Sequence, residues 1–119
     1  MELSYVDLED GIRKIDLNGR MDLEGANAID LKFTTLTATQ KHFVIVDLSG
    51  VEFMATLGIA TLVRNAKAAR LRSGNLVLLN PRPNVASVLA TTRIDKIVNV
   101  CWNLDEALAQ VRAVPESKP

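Results

Sequence analysis

The Thr56 hydroxyl stands at the one point in this chain where a reactive group and a change of local pattern coincide. It follows the run Phe43-Val-Ile-Val-Asp-Leu-Ser-Gly-Val-Glu-Phe-Met-Ala55 and precedes Leu57, Gly58 and Ile59. Phe43 to Leu48 is short, β-branched and nearly all apolar, as suits a strand covered on both faces of a parallel sheet. From Leu57 the apolar residues change to helical spacing, with Ile59, Leu62, Val63, Ala66 and Leu71 on or near one face. Thr56 therefore reads as the N-cap of a helix beginning just beyond the carboxyl end of a strand. Exposed backbone N–H groups and the positive end of the helix dipole meet there, and both would favour a phosphate on the hydroxyl. A switch by phosphorylation is the chemistry this placement allows. The plainer alternative is a helix cap worth about 1 kcal/mol.

Other reactive groups are sparse. Phosphate-cradling loops need several glycines at fixed spacing, which Gly50 and Gly58 do not supply. His42 is the only histidine, so a catalytic triad or a histidine-rich metal site would have to be built around it. Placed between Lys41 and a buried strand, it reads as an edge or surface residue. Cys101 has no Cys or His near it in sequence and lies beside Trp102, the setting of a buried thiol rather than a nucleophile. A phosphoacceptor receiver domain would need an Asp ending a central strand, and Asp47 lies within one. Asp47 reads as a backbone-binding residue at a strand end, with a role in holding a Ser49–Thr56 loop as the alternative. A small enzyme using Thr56 as nucleophile would lack a neighbouring base. No catalytic residue, cofactor or metal is expected.

The elements that must position Thr56 follow from turn chemistry and periodicity. Leu3 to Leu8 and Ile12 to Leu17 are strand-like, and Asp10-Gly11 between them is a hairpin signal. Asp22 is a plausible N-cap for a helix whose apolar stripe is Ala26, Ile29, Phe33 and Leu36, weakened at its end by the threonine-rich stretch from Thr34 to Thr39. After the Phe43–Leu48 strand and the helix from 57 to about 72, Gly74 is the expected stop. Leu76 to Leu79 is a second fully apolar strand. Asn80-Pro-Arg-Pro83 delivers a proline to the first turn of a helix carrying Val85, Val88 and Leu89. Ile97, Val98 and Val100 suggest a last strand; Asn103 and Glu106 suggest a cap for a last helix carrying Leu104, Ala107, Leu108 and Val111. The order β-β-α-β-α-β-α-β-α predicts an α/β fold: a mixed sheet with an opening antiparallel hairpin, later parallel strands and about four helices packed against it.

Composition sets the outer bounds. A chain of 119 residues forms one compact domain burying roughly two-thirds of its unfolded surface. Hydrophobic residues at 48% supply a core, and aromatics at 4% leave Leu, Val, Ile and Ala to pack it. Fourteen basic and fourteen acidic residues cancel, so no charge excess draws the chain to nucleic acid or anionic lipid. No apolar stretch approaches the roughly 20 residues needed to cross a bilayer, and the start resembles no signal peptide. A single cysteine suits a reducing cytoplasm. One domain over residues 1–113, a frayed tail over 114–119 and a cytoplasmic location are expected.

The stretch Asp47-Leu48-Ser49-Gly50-Val51-Glu52-Phe53-Met54-Ala55-Thr56-Leu57-Gly58-Ile59 resembles the signature of the STAS family, which typically reads D-L-S-x-V-x-F-M-D-S-S-G-L. Leu17-Asn18-Gly19-Arg20-Met21-Asp22 is similar to the family's L-x-G-x-L-D segment, Ser73-Gly74-Asn75-Leu76-Val77-Leu78 to its G-G-x-L-x-L entry, and Pro83 to Val98 to its P-x-V-x-x-x-L segment. The resemblance covers nearly the whole chain. It implies an anti-sigma-factor antagonist: a bacterial regulatory protein that docks on an anti-sigma serine/threonine kinase and is released when the serine after the loop aspartate is phosphorylated. By position that acceptor is Thr56, with Asp22, Met54, Ala55, Leu57 and Gly58 shaping the docking surface. Three residues depart from the pattern: Ala55 for the aspartate, Leu57 for the second serine, and Arg93 for a later glycine. The resemblance also implies an alternative, a STAS subunit of a lipid-transport ABC complex or stress-sensing scaffold that holds its ATPase or scaffold partner constitutively. Ala55 and an exposed, apolar Leu57 lean that way. Neither reading involves nucleic acid or membrane insertion.

Overall fold

Side chains of the central strands alternate between two cores. Ile15, Leu17, Val44, Val46, Leu48, Leu76 and Leu78 belong to one, and Ile12, Ile45, Val77 and Leu79 to the other. In the computed structural model, which describes residues 1–8, 11–39 and 43–113, these strands form a five-stranded mixed sheet. Strand β1 (Glu2–Asp7) pairs antiparallel with β2 (Ile12–Met21). Strands β3 (Phe43–Met54), β4 (Asn75–Leu79) and β5 (Val100–Cys101) follow in parallel, in the order β1-β2-β3-β4-β5. The helices are α1 (Leu23–Thr34), α2 (Thr56–Leu71), α3 (Pro83–Thr91) and α4 (Leu104–Arg112). The mixed sheet with four helices is the expected fold. Asp10 of the expected turn, His42 and the tail from Val114 lie outside the described residues.

Sequential strand order dictates where the helices go. Each β-α-β connection steps one position in the same direction, and right-handed crossovers then set all three connecting helices on one face. Accordingly α1, α2 and α3 share the larger core, where Phe33, Leu62 and Leu89 are almost wholly buried. Burying a side chain such as Phe33 contributes about 1.5–3 kcal/mol. Helix α4 follows the last strand and covers the other face with Ala107 and Val111.

Several boundaries differ from the expectation, each for a local reason. The stretch after Leu48 is not a loop: β3 continues to Met54, pairing Gly50 with Asn18, Val51 with Gly19 and Met54 with Met21 through two bulges. Beyond Asp47 it has outrun β4, and side chains take over that edge, Arg82 Nε donating to the Ser49 carbonyl (2.8 Å) and Asn84 Nδ2 to the Glu52 carbonyl (2.8 Å). After α1 the threonines do not fray. The chain continues as a π-helical turn, Thr35–Thr39, and the buried Thr37 hydroxyl donates to Asn65 Oδ1 of α2 at 2.6 Å. Leu71 is 88% exposed and Ala69 is buried in its place, because a residue two positions past Ala69 lies about 200° around the helix. The stop of α2 puts Ser73, not Gly74, in the left-handed conformation (φ +64°), while the Gly74 N–H reaches the Ala69 carbonyl at 2.8 Å. The last strand is only Val100–Cys101; Ile94–Lys96 forms a 3-10 turn instead, entered through Arg93 at φ +62°. Leu104 is 41% exposed, outside the buried stripe of α4.

Candidate functional site

The Arg20-Met21-Asp22 stretch at the end of β2 holds two helix N-termini side by side. Asp22 caps α1, its Oδ1 accepting from the Gly25 N–H at 2.8 Å. The Met21 carbonyl accepts from the Ala55 N–H at 2.9 Å, which fixes the entry to α2. Two glycines permit this closeness. A Cβ on Gly25 would overlap the Arg20 carbonyl oxygen, and one on Gly58 would lie 2.8 Å from Met21 Cγ and 3.1 Å from Met21 O. Next to this junction Arg20 stacks over the Phe53 ring at 4.6 Å, and the side chains of Leu23 and Phe53 are exposed. The result is a continuous surface at the carboxyl ends of parallel strands, the place where α/β sheets present their sites.

Thr56 is exposed at the first position of α2, and its hydroxyl makes no hydrogen bond among the described residues. The expectation that it caps the helix is wrong by one residue. Ala55 occupies the N-cap, in extended conformation (φ −96°, ψ 172°), and offers no side-chain acceptor. The free amides of the first turn are therefore left to solvent or to whatever approaches. Because the Ala55 backbone already has cap geometry, Ala55→Asp should raise the unfolding free energy by about 1 kcal/mol in a urea titration at unchanged m-value. An unchanged midpoint would mean that the first turn is satisfied some other way.

The remaining expected site residues fall in three positions. Asp22 is at the surface beside Thr56's helix, its carboxyl held below the usual range by the Gly25 amide first and also by Arg20. Met54 and Gly58 are buried and can shape the surface only from beneath. Leu57 is half-buried and packs against the larger core, so the exposed apolar turn expected from it is absent. Asp47 binds backbone, as its preferred reading held: its Oδ1 accepts from the Ser49 amide (2.9 Å) and hydroxyl (2.7 Å), and its Oδ2 pairs with Lys14 (3.2 Å). Burial opposes its charge, but the Ser49 hydrogen bonds and Lys14 outweigh burial and hold the carboxyl low. Sequence reasoning missed Arg20, Phe53, Arg82 and Asn84. Their signal is positional, since it appears only when β3 is extended past β4 and Arg20 falls opposite Phe53.

Cys101 is fully buried, and burial, helped by Glu106, pushes its thiol up to about 11. At pH 8 native protein should be alkylated by iodoacetamide far more slowly than protein unfolded in urea, because the thiolate is the nucleophile. Equal rates would show the thiol open and acidic. Among the described residues no group of three His, Cys, Asp or Glu side chains is placed to hold a metal, and no helix is long and apolar enough to cross a membrane.

Sheet order, helix placement and a surface built on strand-to-helix junctions define an α/β module with the fold of anti-sigma factor antagonists. The chain belongs to the STAS domain family, whose model matches residues 6–107. Solved structures agree in fold. An anti-sigma factor antagonist candidate from Thermotoga maritima superposes with a TM-score of 0.83 at 23% identity, over 92% of this chain and 94% of that one. A STAS domain protein from Planctomyces limnophilus gives 0.79 at 24% identity, over 92% and 97%. The Bacillus cell fate determinant SpoIIAA in its phosphorylated form gives 0.69 at 20% identity, over 93% and 100%.

Proposed function

We propose that this protein is an anti-sigma-factor antagonist that docks on an anti-sigma serine/threonine kinase through the surface around the N-terminus of α2, and that phosphorylation of Thr56 releases it. The observation that carries this reading is the Thr56 hydroxyl itself, exposed and without a hydrogen bond among the described residues, at the first position of a helix whose N-cap has no side-chain acceptor. The kinase transfers the γ-phosphoryl group of ATP to Thr56 Oγ1, and ADP leaves. The helix N-terminus tolerates the new group electrostatically, so the charge acts on the partner rather than on the fold. That a relative of the same fold, SpoIIAA, exists in a phosphorylated form supports the reading.

Intact-mass measurement after incubation with the cognate kinase and ATP tests it. One phosphate on the wild-type chain and none on Thr56→Ala, with Thr56→Ala still retained by the kinase, is the expected result. Equal phosphorylation of Thr56→Ala would reject the acceptor. Loss of kinase binding by Thr56→Ala, with no phosphate ever found on Thr56, would favour the constitutive subunit instead; Ala55, which removes the family's charged residue from the contact, is the feature that fits that second reading.

A further inference from the structure

A cleft of about 650 Å³, with no residue of α2 in its lining, lies along β5. Strand β5 is the last in the sheet and, among the described residues, has no neighbour beyond it. The cleft takes one wall from α3 and another from β5 and α4, which cover opposite faces of the sheet. Its volume falls in the range of small-molecule sites, about 300–1,000 Å³.

The chemistry of the lining is one-sided. Its charged side chains are Asp95 and Glu106; the lining holds no lysine, arginine or histidine, and the Arg70 guanidinium at the same turn donates to the Ile97 carbonyl. Asp95 Oδ1 is shielded from solvent yet accepts no hydrogen bond among the described residues. A shielded carboxylate oxygen left without a donor is a group awaiting one. Glu106 is fixed in place, Oε1 accepting from the Trp102 backbone N–H at 3.3 Å. The Trp102 side chain is 55% exposed on the rim, and Ala86 and Ala90 present small apolar surface on the α3 wall. Two carboxylates, an open indole face and a small apolar wall make a site for a cation that carries hydrocarbon, since an indole attracts positive charge over its ring.

We propose that this cleft binds a small organic ammonium ion, with its charge against Asp95 and Glu106 and its alkyl or aryl part on Trp102 and the α3 wall. Nothing in this assignment depends on the Thr56 reading. Docking at the α2 tip uses none of these residues.

Trp102 is the only tryptophan in the chain, so its emission reports on the cleft directly. Choline and phenethylammonium, titrated at constant ionic strength, should change Trp102 fluorescence saturably with a dissociation constant of about 1 mM or below. The uncharged isostere 3,3-dimethylbutan-1-ol should give no saturation in the same range. Asp95→Asn should weaken choline binding at least about tenfold by removing the nearest opposite charge. Ala90→Leu, an exposed helical position where leucine is well tolerated, should also weaken it while leaving the urea unfolding curve in place, which keeps the test valid should Asp95→Asn fail to fold. The proposal is overturned if the neutral alcohol saturates as well as choline, if both folded variants bind like wild type, or if the only response comes from ammonium groups carried on a peptide.

Discussion

Replacing Thr56 with glutamate should weaken binding to the cognate kinase more than a hundredfold, while Thr56→Ala binds like wild type. The argument is one of desolvation. A side chain at the tip of α2 is exposed in the free protein, so glutamate there is solvated and harmless, and at a helix N-terminus it is mildly favoured. In the complex the same carboxylate is stripped of water without a built partner. If that costs about 3 kcal/mol, affinity falls by more than a factor of one hundred. A phosphate carries about −1.5 to −2 charges and should act more strongly still. Isothermal titration with the kinase reads the effect, and urea unfolding of the free protein supplies the control: the glutamate variant should unfold at the wild-type midpoint or slightly above. Equal kinase affinity of the alanine and glutamate variants would end the switch.

Gly25→Ala should destabilise the protein by at least about 2 kcal/mol, although alanine is the better helix former by about 1 kcal/mol. The added methyl group would overlap the Arg20 carbonyl oxygen and crowd Asp22 Oδ1 at 3.2 Å. Main chain cannot rotate aside as the end of a long side chain can, so either α1 or the end of β2 must move. Movement there disturbs the Asp22 cap and, through the Met21 carbonyl that receives the Ala55 N–H, the entry of α2. The loss should appear in urea unfolding. The kinase affinity of the folded fraction should fall as well, which separates this change from Ala55→Asp, expected to stabilise. A Gly25→Ala protein as stable as wild type would mean that the two helix tips are not locked together.

The fold was legible because its signals are local and repeated. The nearly unbroken apolar runs Val44-Ile-Val-Asp-Leu48 and Leu76-Val-Leu-Leu79, the Asp22 cap and the proline opening α3 each specify one element, and they agree with one another. What escaped the sequence was set by distant partners. Ser49, Gly50 and Glu52 look like loop residues, and they are strand because β2 is long enough to pair with them and because Arg82 and Asn84 arrive from α3 to satisfy the other edge. Thr56 outranks alanine as a helix cap by propensity, yet Ala55 holds that position because the Met21 carbonyl fixes where the strand ends. Leu57 looked exposed because periodicity alone cannot say how far the core reaches up the first turn of a helix. At the candidate site the position of Thr56, exposed at a strand-to-helix junction, was readable from one segment. The Arg20–Phe53 stack was not, since it joins residues 33 apart through a bulged register.

Because the strands stand in the sheet in the order in which they are synthesised, a chain emerging from the ribosome can add each one to a growing margin. No strand has to be threaded between two that are already seated, and none waits long for its neighbour. The pair β1-β2 offers the first such margin, each later strand lies beside the one before it, and α4, which follows β5 in the chain, covers the remaining face.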